Sequence, residues 1–324
     1  MKKYLIVDGG NISYRVYASM QNSVGTLTNS EGVPTTIIYR MLSFINAFIG
    51  ENSVDKCVIC WDGGSKYRKK VFKHYKANRK LLPPPPWIEA FYEDVDSAVE
   101  YFEKLGMIQL KKRGMEADDM VGYMCGKLSS GKERCQITVM SDDRDYYQLL
   151  SMKGVIIYRP SPCEFVTRED AEIEIKYPVT KHAKILALTG QDKDNIPGAC
   201  DLDEHGVMQK YGFGPAAAIK MMKNGDGWHK SIKDAIEAIP DDDKNKQRFV
   251  DKLKQVLKSY KLMRIRTKDA LYYDWEIKLL DKMYAKTQID IKIDSGMVSQ
   301  IKEYLELKTL NLKKILGKLG VKFR

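Results

Sequence analysis

Four groups of carboxylates stand out in the first half of the chain: Asp8, Asp62, the trio Glu116, Asp118 and Asp119, and the run Asp142, Asp143 and Asp145. Each alone has an ordinary reading. Acids in a first helical turn complement the helix dipole, and an acid that follows a strand is often a turn residue. Four such groups together point to a shared site. Packed carboxylates raise one another's pKa, and divalent cations relieve that repulsion. A donor set made of oxygen selects Mg²⁺ or Mn²⁺ over zinc. Residues 63–82 contain no Asp or Glu, and GGSKYRKKVFKHYKANRK (63–80) interleaves Tyr67, Phe72 and Tyr75 with cations. By itself such a run reads as a solvated helix face. Beside an acidic site, Lys66, Arg68, Lys69, Lys70 and Lys73 become candidates for holding a phosphate backbone while the rings stack on unpaired bases. An acid-rich edge next to a basic segment suggests phosphodiester hydrolysis, in which two ions about 4 Å apart generate hydroxide and stabilise the leaving oxygen.

Strands and helices must position these acids. KYLIVD (3–8) reads as a short buried strand ending in Asp8, and residues 54–62 as a second ending in Asp62. Pro34 opens a helix over 34–50 with apolar residues at 38, 41, 42, 45, 48 and 49, and Gly50 closes it. The run Pro83–Pro86 breaks any helix. Helical period returns over 88–105 (Phe91, Val95, Val99, Phe102), and a strand-like MIQL follows. A helix from about 116 to 128 and a strand QITVM then lead into SDDRD. Alternating strands and helices imply a mostly parallel sheet with helices on both sides. Such sheets gather their sites at the carboxyl ends of the strands. Beyond about residue 180 helical segments dominate, and 240–246 reads as a charged surface loop.

The 324 residues, 44% of them apolar, suffice for one large domain or two with a sizeable core. Lys and Arg outnumber Asp and Glu by 54 to 43, a net charge of +11, which suits a polyanionic partner. Six cysteines without a disulfide-like framework suit a reducing compartment. Cys57 and Cys60 lie in the apolar run VDKCVICW and read as buried strand residues rather than zinc ligands. There is no signal-peptide pattern and no apolar run of membrane length, so a soluble intracellular protein is expected.

Six segments stand in an order and spacing that resembles the 5′-nuclease superfamily: LIVDGGNISYR (5–15), CWDGGSKYRKK (60–70), HYKANR (74–79), GMEADDMVG (114–122), VMSDDRDYYQLL (139–150) and LTGQDKDNIPG (188–198). The superfamily includes the 5′-nuclease domain of bacterial DNA polymerase I, phage 5′-exonucleases, T-even-type phage RNase H and cellular flap endonucleases. The likeness extends to near residue 222. It implies a PIN-like α/β catalytic domain over 1–180, with a basic helical arch over about 63–105. A helical duplex-binding region with a helix–three-turn–helix motif would follow over 181–324.

Carried onto this chain, the resemblance assigns Asp8, Asp62, Glu116 and Asp118 to one metal ion. It assigns Asp143, Asp145 and Asp194 to a second, with Asp118 between the two and Asp119 as an additional ligand. The pattern S-x-D-x-D leaves Asp142 outside the set. Lys76 and Arg79 match cations at the base of the arch, which stabilise charge on the scissile phosphate. Tyr14 and Arg15 fall near the same edge as nucleic-acid contacts. Gly212-Phe213-Gly214-Pro215 resembles the hairpin whose backbone N–H groups meet duplex phosphate beside a K⁺ ion, although ACDLDEHGVMQKY (199–211) delays it. Where the family carries an acid in G-D-x-x-D-N, this chain has Gln191.

The activity implied is that of a Mg²⁺- or Mn²⁺-dependent flap endonuclease and 5′→3′ exonuclease, with RNase H action, removing RNA primers or 5′ flaps. The implied partners are branched or nicked duplex DNA and RNA–DNA hybrids, with a single-strand-binding protein or a sliding clamp as candidate proteins. A monomer acting at the nucleoid, or in a phage-infected cell, is expected. The competing reading, a non-catalytic branched-DNA-binding protein of the same fold, is favoured only by Gln191.

Overall fold

The computed structural model describes residues 1–21, 25–81, 83–209, 213–243, 246–265 and 274–323. Strand β1 (Lys2–Asp8) buries every residue from Tyr4 onward. A continuous apolar run is what a parallel strand covered on both faces requires. Helix α1 (Gly9–Gln21) follows without a loop. The sequence did not announce it, because two glycines and the β-branched Ile12 and Val16 weaken its intrinsic propensity. Burial of Ile12, Val16, Tyr17 and Met20 along one stripe supplies the stability instead. Helix α2 (Thr36–Glu51) and strand β2 (Lys56–Trp61) come where expected. Cys57 and Cys60 are buried on β2, and burial pushes the Cys57 thiol up to about 12 and the Cys60 thiol well above its usual value, as befits core residues.

The next elements are α3 (Lys66–Val71), α4 (Ile88–Lys104), β3 (Ile108–Lys111), α5 (Ala117–Ser130) and β4 (Cys135–Met140). A strand β5 (Val155–Arg159) and a short antiparallel β6 (Glu164–Val166) complete a six-stranded sheet in the order β3-β2-β1-β4-β5-β6. The first five strands run parallel. Val7 of β1 lies opposite Ile59 of β2 and Met140 of β4, so these three central strands end nearly level. The chain winds outward in both directions from β1, which makes the carboxyl ends of β2, β1 and β4 a topological switch point.

The chain divides into two compact units: Met1–Gly64 with Pro85–Thr167 and Arg266–Arg324, and Ser65–Pro84 with Arg168–Ile265. This spatial grouping differs from a division at residue 180. The second unit contains α6 (Arg168–Ile175), α7 (His182–Thr189), α8 (Pro215–Met222), α9 (Ile232–Glu237) and α10 (Lys246–Met263) around Ile185, Leu188, Met222, Ile236 and Val256. The closing helices α11 (Asp274–Gln288), α12 (Ser295–Tyr304) and α13 (Leu312–Lys318) belong to the first unit. There Ile301, Ile315 and Leu316 join the sheet's core, and the Lys56 ammonium donates to the Thr287 carbonyl at 3.0 Å.

The expected arch segment, 63–105, is shared between the two units. Ser65–Pro84 groups with the second unit, while α4 buries Phe91, Ala98 and Phe102 in the first unit's core. A fully buried phenylalanine contributes about 2–3 kcal/mol, which explains why α4 packs rather than standing apart.

Candidate active site

In the first unit, Asp8 closes β1 with a carboxylate that is 7% exposed. Its Oδ1 accepts the Asn11 backbone N–H at 3.1 Å, and its Oδ2 accepts the Ser141 hydroxyl at 3.1 Å and the Tyr146 hydroxyl at 3.0 Å. These donors are neutral. Burial, and then the charge of Asp62, push Asp8 up to about 7, with Asp143 adding to the rise and the Asn11 and Tyr146 hydrogen bonds opposing it. Tyr146, wholly buried, is itself pushed well above its usual value by burial and by the charges of Asp8, Asp118 and Asp143. Asp62 and Asp143 thus act on Asp8, and Asp8, Asp118 and Asp143 act together on Tyr146.

Two glycines permit this crowding. A Cβ on Gly10 would lie 2.3 Å from Asp62 Oδ2 and 3.7 Å from Asp8 Oδ1. A Cβ on Gly63 would lie 1.9 Å from the Lys112 carbonyl oxygen, and the Gly63 N–H donates to the Met115 carbonyl at 2.8 Å. The chain leaving β2 is thus tied to the segment that leads into Glu116. Glu116 occupies the N-cap position of α5 in extended conformation. It is Asp62 whose Oδ1 accepts the Ala117 N–H, at 2.9 Å. Asp119 is buried, and Asp143 Oδ1 accepts the Asp145 N–H at 2.9 Å. As they stand, no three donors among the described residues are close enough together to enclose an ion. The structure shows acids whose charges act on Asp8, oxygen-only side chains, and a close approach at Gly10 where a side chain would collide with Asp62. An oxygen-seeking divalent cation suits these features.

Two more of the expected residues, Tyr14 and Arg15, belong to this unit. Arg15 pairs with Asp142, the acid left outside the metal pattern, which also accepts the Ser161 N–H at 3.3 Å. Tyr14 is 46% exposed, its ring 5.5 Å from Trp87 and 5.7 Å from Phe91. Asn11, Ser141 and Tyr146 were missed as functional residues, although all three stand inside the motifs that flagged the acids.

In the second unit, HYKANR and DKDN fold against each other. Asp194, 8% exposed, receives Arg79 Nη2 at 2.5 Å and lies 4.0 Å from Lys76 Nζ, and its Oδ2 accepts the Tyr75 hydroxyl at 3.4 Å. Lys66, Lys69, Lys70 and Lys73 are exposed. Arg68 corrects the expectation: it is 4% exposed and donates Nε to the Leu262 carbonyl at 3.3 Å, so it braces α3 internally and is not free to meet a phosphate backbone. Gly214 caps α8 with Pro215 in its first turn, and Phe213 packs on Phe249 at 4.7 Å. Gly212 lies outside the described residues. Gln191 pairs with Ile196 through both backbone groups.

With this geometry in view, the likeness to known proteins is specific. Residues 3–178 match the model of the 5′-3′ exonuclease, N-terminal resolvase-like domain. The chain belongs to the 5′-3′ exonuclease family of nucleases, within the 5′-nuclease superfamily. It is 27% identical to a 5′-3′ exonuclease of Aquifex aeolicus over all of this chain and 97% of that one. It is 32% identical to one of Buchnera aphidicola over 61% of this chain, and spans 65% of that protein. Among solved structures, the phage T5 D15 protein co-crystallised with metal ions superposes with a TM-score of 0.65 at 19% identity, covering 89% of this chain and 98% of that one. At that identity the likeness is one of fold. No helix among the described residues is long and apolar enough to cross a membrane.

Proposed function

We propose that this chain is a structure-specific 5′-nuclease that hydrolyses phosphodiester bonds at 5′ flaps, nicks and RNA primers in DNA, on branched duplexes and RNA–DNA hybrids. The supporting observation is Asp8, buried at the end of β1, which burial first and then the charges of Asp62 and Asp143 push up to about 7. A mutually repelling, oxygen-only set of this kind is what two Mg²⁺ or Mn²⁺ ions neutralise. Asp8, Asp62, Glu116, Asp118, Asp143 and Asp145 would hold them, with Asp119 in support. Bound there, such ions supply a hydroxide nucleophile and offset charge on the leaving oxygen.

The chain's own groups do the remaining work. Asn11, Ser141 and Tyr146 fix the Asp8 carboxylate. Such supporting hydrogen bonds commonly change metal affinity or activity by about 10–100-fold. Lys76 and Arg79 meet the charge of the scissile phosphate, Tyr14 offers a ring to a base, and the lysines of α3 hold the backbone. The hairpin before α8 takes duplex phosphate, with K⁺ as its companion ion.

A 5′-labelled flap and a 5′-labelled RNA–DNA hybrid, each incubated with Mg²⁺ and then with excess chelator, test the proposal. Cleavage of both in Mg²⁺ and of neither in chelator is expected. A chain that binds the flap but leaves it intact in Mg²⁺ and Mn²⁺ would be a binding protein instead.

A further inference from the structure

We infer that Asp194 is a positioning residue, whose carboxylate pins the two phosphate-facing cations Lys76 and Arg79 in the substrate-free chain, and that it does not serve as a resident ligand of a divalent ion. The inference rests on the nuclease reading only for what Lys76 and Arg79 do afterwards. The pinning is visible in the second unit by itself.

Both carboxylate oxygens of Asp194 are engaged. Oδ1 takes Arg79 at 2.5 Å with Lys76 at 4.0 Å, and Oδ2 takes the Tyr75 hydroxyl at 3.4 Å. A divalent ion bound at that Oδ1 would sit about 2.1 Å from the oxygen. It would do so facing a guanidinium and an ammonium of its own sign, in a side chain only 12% exposed. Like charges so close repel, most strongly from Lys76, whose side chain is 23% exposed, and less from Arg79, 54% exposed and partly screened by solvent. The position three residues earlier, where a second acid would strengthen the pull on an ion, is Gln191.

The backbone carries the same message. Lys76 N–H donates to the Asp194 carbonyl at 2.9 Å, Arg79 Nε to the Lys193 carbonyl at 3.2 Å, and Asn78 to the Asp192 carbonyl. Asn195, fully buried, donates Nδ2 to the His74 carbonyl at 2.8 Å and to the Gly206 carbonyl at 3.0 Å. Its Oδ1 accepts the Met208 N–H at 2.8 Å. A Cβ on Gly206 would lie 2.5 Å from the His74 ring. The inserted stretch that delays the hairpin thus backs the segment that Asp194 holds from the front. Lys76 takes a positive φ of 59° at the start of the 3₁₀ turn Ala77–Lys80, a conformation few lysines adopt unless neighbouring contacts impose it.

The test uses the full-length chain as wild type, Asp194→Asn, Asp194→Glu and Tyr75→Phe, with folding checked by circular dichroism. Bound Mn²⁺ is counted from the electron paramagnetic resonance signal of the free ion. Tryptic cuts after Lys76 and Arg79 are mapped by mass spectrometry. Single-turnover cleavage of a 5′ flap is compared with flap binding in Ca²⁺.

Asp194→Asn is expected to bind as many Mn²⁺ ions as wild type, with affinity within about twofold. It should be cut by trypsin in 74–79 about tenfold faster, because the segment opens more often. Its cleavage step should slow without weaker flap binding. Asp194→Glu should restore part of both, and Tyr75→Phe should loosen the segment to a smaller degree. Loss of one bound Mn²⁺ in Asp194→Asn overturns the inference whatever trypsin does. Unchanged trypsin sensitivity overturns it whatever the metal does. Should Asp194→Asn not fold, Tyr75→Phe decides by the same two readouts. A wild type that cuts no flap defeats the nuclease reading, while the manganese and trypsin results still stand.

Discussion

The two units treat buried acid in opposite ways. At the edge of the sheet, Asp8 is held by an amide, a serine and a tyrosine, and its charged neighbours are other acids. In the second unit, Asp194 is equally buried but is met by Arg79 and Lys76. Neutral donors orient a carboxylate without cancelling its charge, whereas cations cancel it. In the first arrangement the acids' charges are left to repel, and in the second the protein's own cations offset the charge. Two acids that both stand in motifs of the family thus have surroundings of opposite sign.

The largest effect is expected where the comparison is sharpest. Asp143→Asn, which removes one charge from the repelling set, should take cleavage below detection while branched-DNA binding stays largely intact. A fall in binding as deep as the fall in cleavage would place Asp143 on the docking surface instead. A smaller and more telling effect is expected from Gly10→Ala. The new methyl would meet Asp62 Oδ2 at 2.3 Å, and the end of a side chain can move aside. Alanine also favours a helix over glycine, here by less than the about 1 kcal/mol of a helix interior because Gly10 lies in the first turn of α1. Folding stability should hold or rise, while Mn²⁺ affinity and cleavage fall by about 10–100-fold, the range for disturbed ligand orientation. Equal losses of stability and activity would mean that the crowding at Gly10 is mere packing.

Much of the first unit was legible because its signals are local. A buried strand that ends in an acid needs only a few residues to declare itself, and β1, β2 and β4 appear within two residues of their expected bounds. What was illegible depended on distant partners. Arg68 looks like its neighbours in GGSKYRKK, and only the Leu262 carbonyl nearly 200 residues away reveals that it is internal. The period of α4 was read correctly, but that its apolar stripe joins the first unit's core could not be read from the basic run and the prolines before it. Strand β6 is three residues with two exposed, too short to show an alternation. The return of α11–α13 to the first unit has no local signature at all. In the site, the acids were evident from type and spacing. The neutral groups that hold Asp8 were not, because serine, asparagine and tyrosine have many ordinary uses.

The smallest effect isolates what burial does without acidic neighbours. Asp94, on α4, accepts the Ile37 N–H at 3.1 Å and is hydrogen-bonded to Thr36, at the start of α2. Burial pushes it up to about 6 against those hydrogen bonds, and no neighbouring acid contributes. The titratable group it acts on is Tyr17, which burial and then the charges of Asp94 and Glu93 hold above its usual value, so Tyr17 stays protonated across the range that matters. With the folded pKa above the unfolded one, the folded state binds the Asp94 proton more tightly. That contribution to stability is complete below about pH 4, declines as pH rises through 4 to 6, and is gone above, a change of about 2–3 kcal/mol. Asn at this position keeps an oxygen for the Ile37 N–H and cannot ionise. Urea unfolding at pH 4 and pH 7 should therefore show Asp94→Asn losing less stability between the two than wild type, with no change in Mn²⁺ binding. An identical loss in both proteins would mean that Asp94 titrates as if exposed. Burial alone would then account for less of the rise at Asp8, and the charge of Asp62 for more.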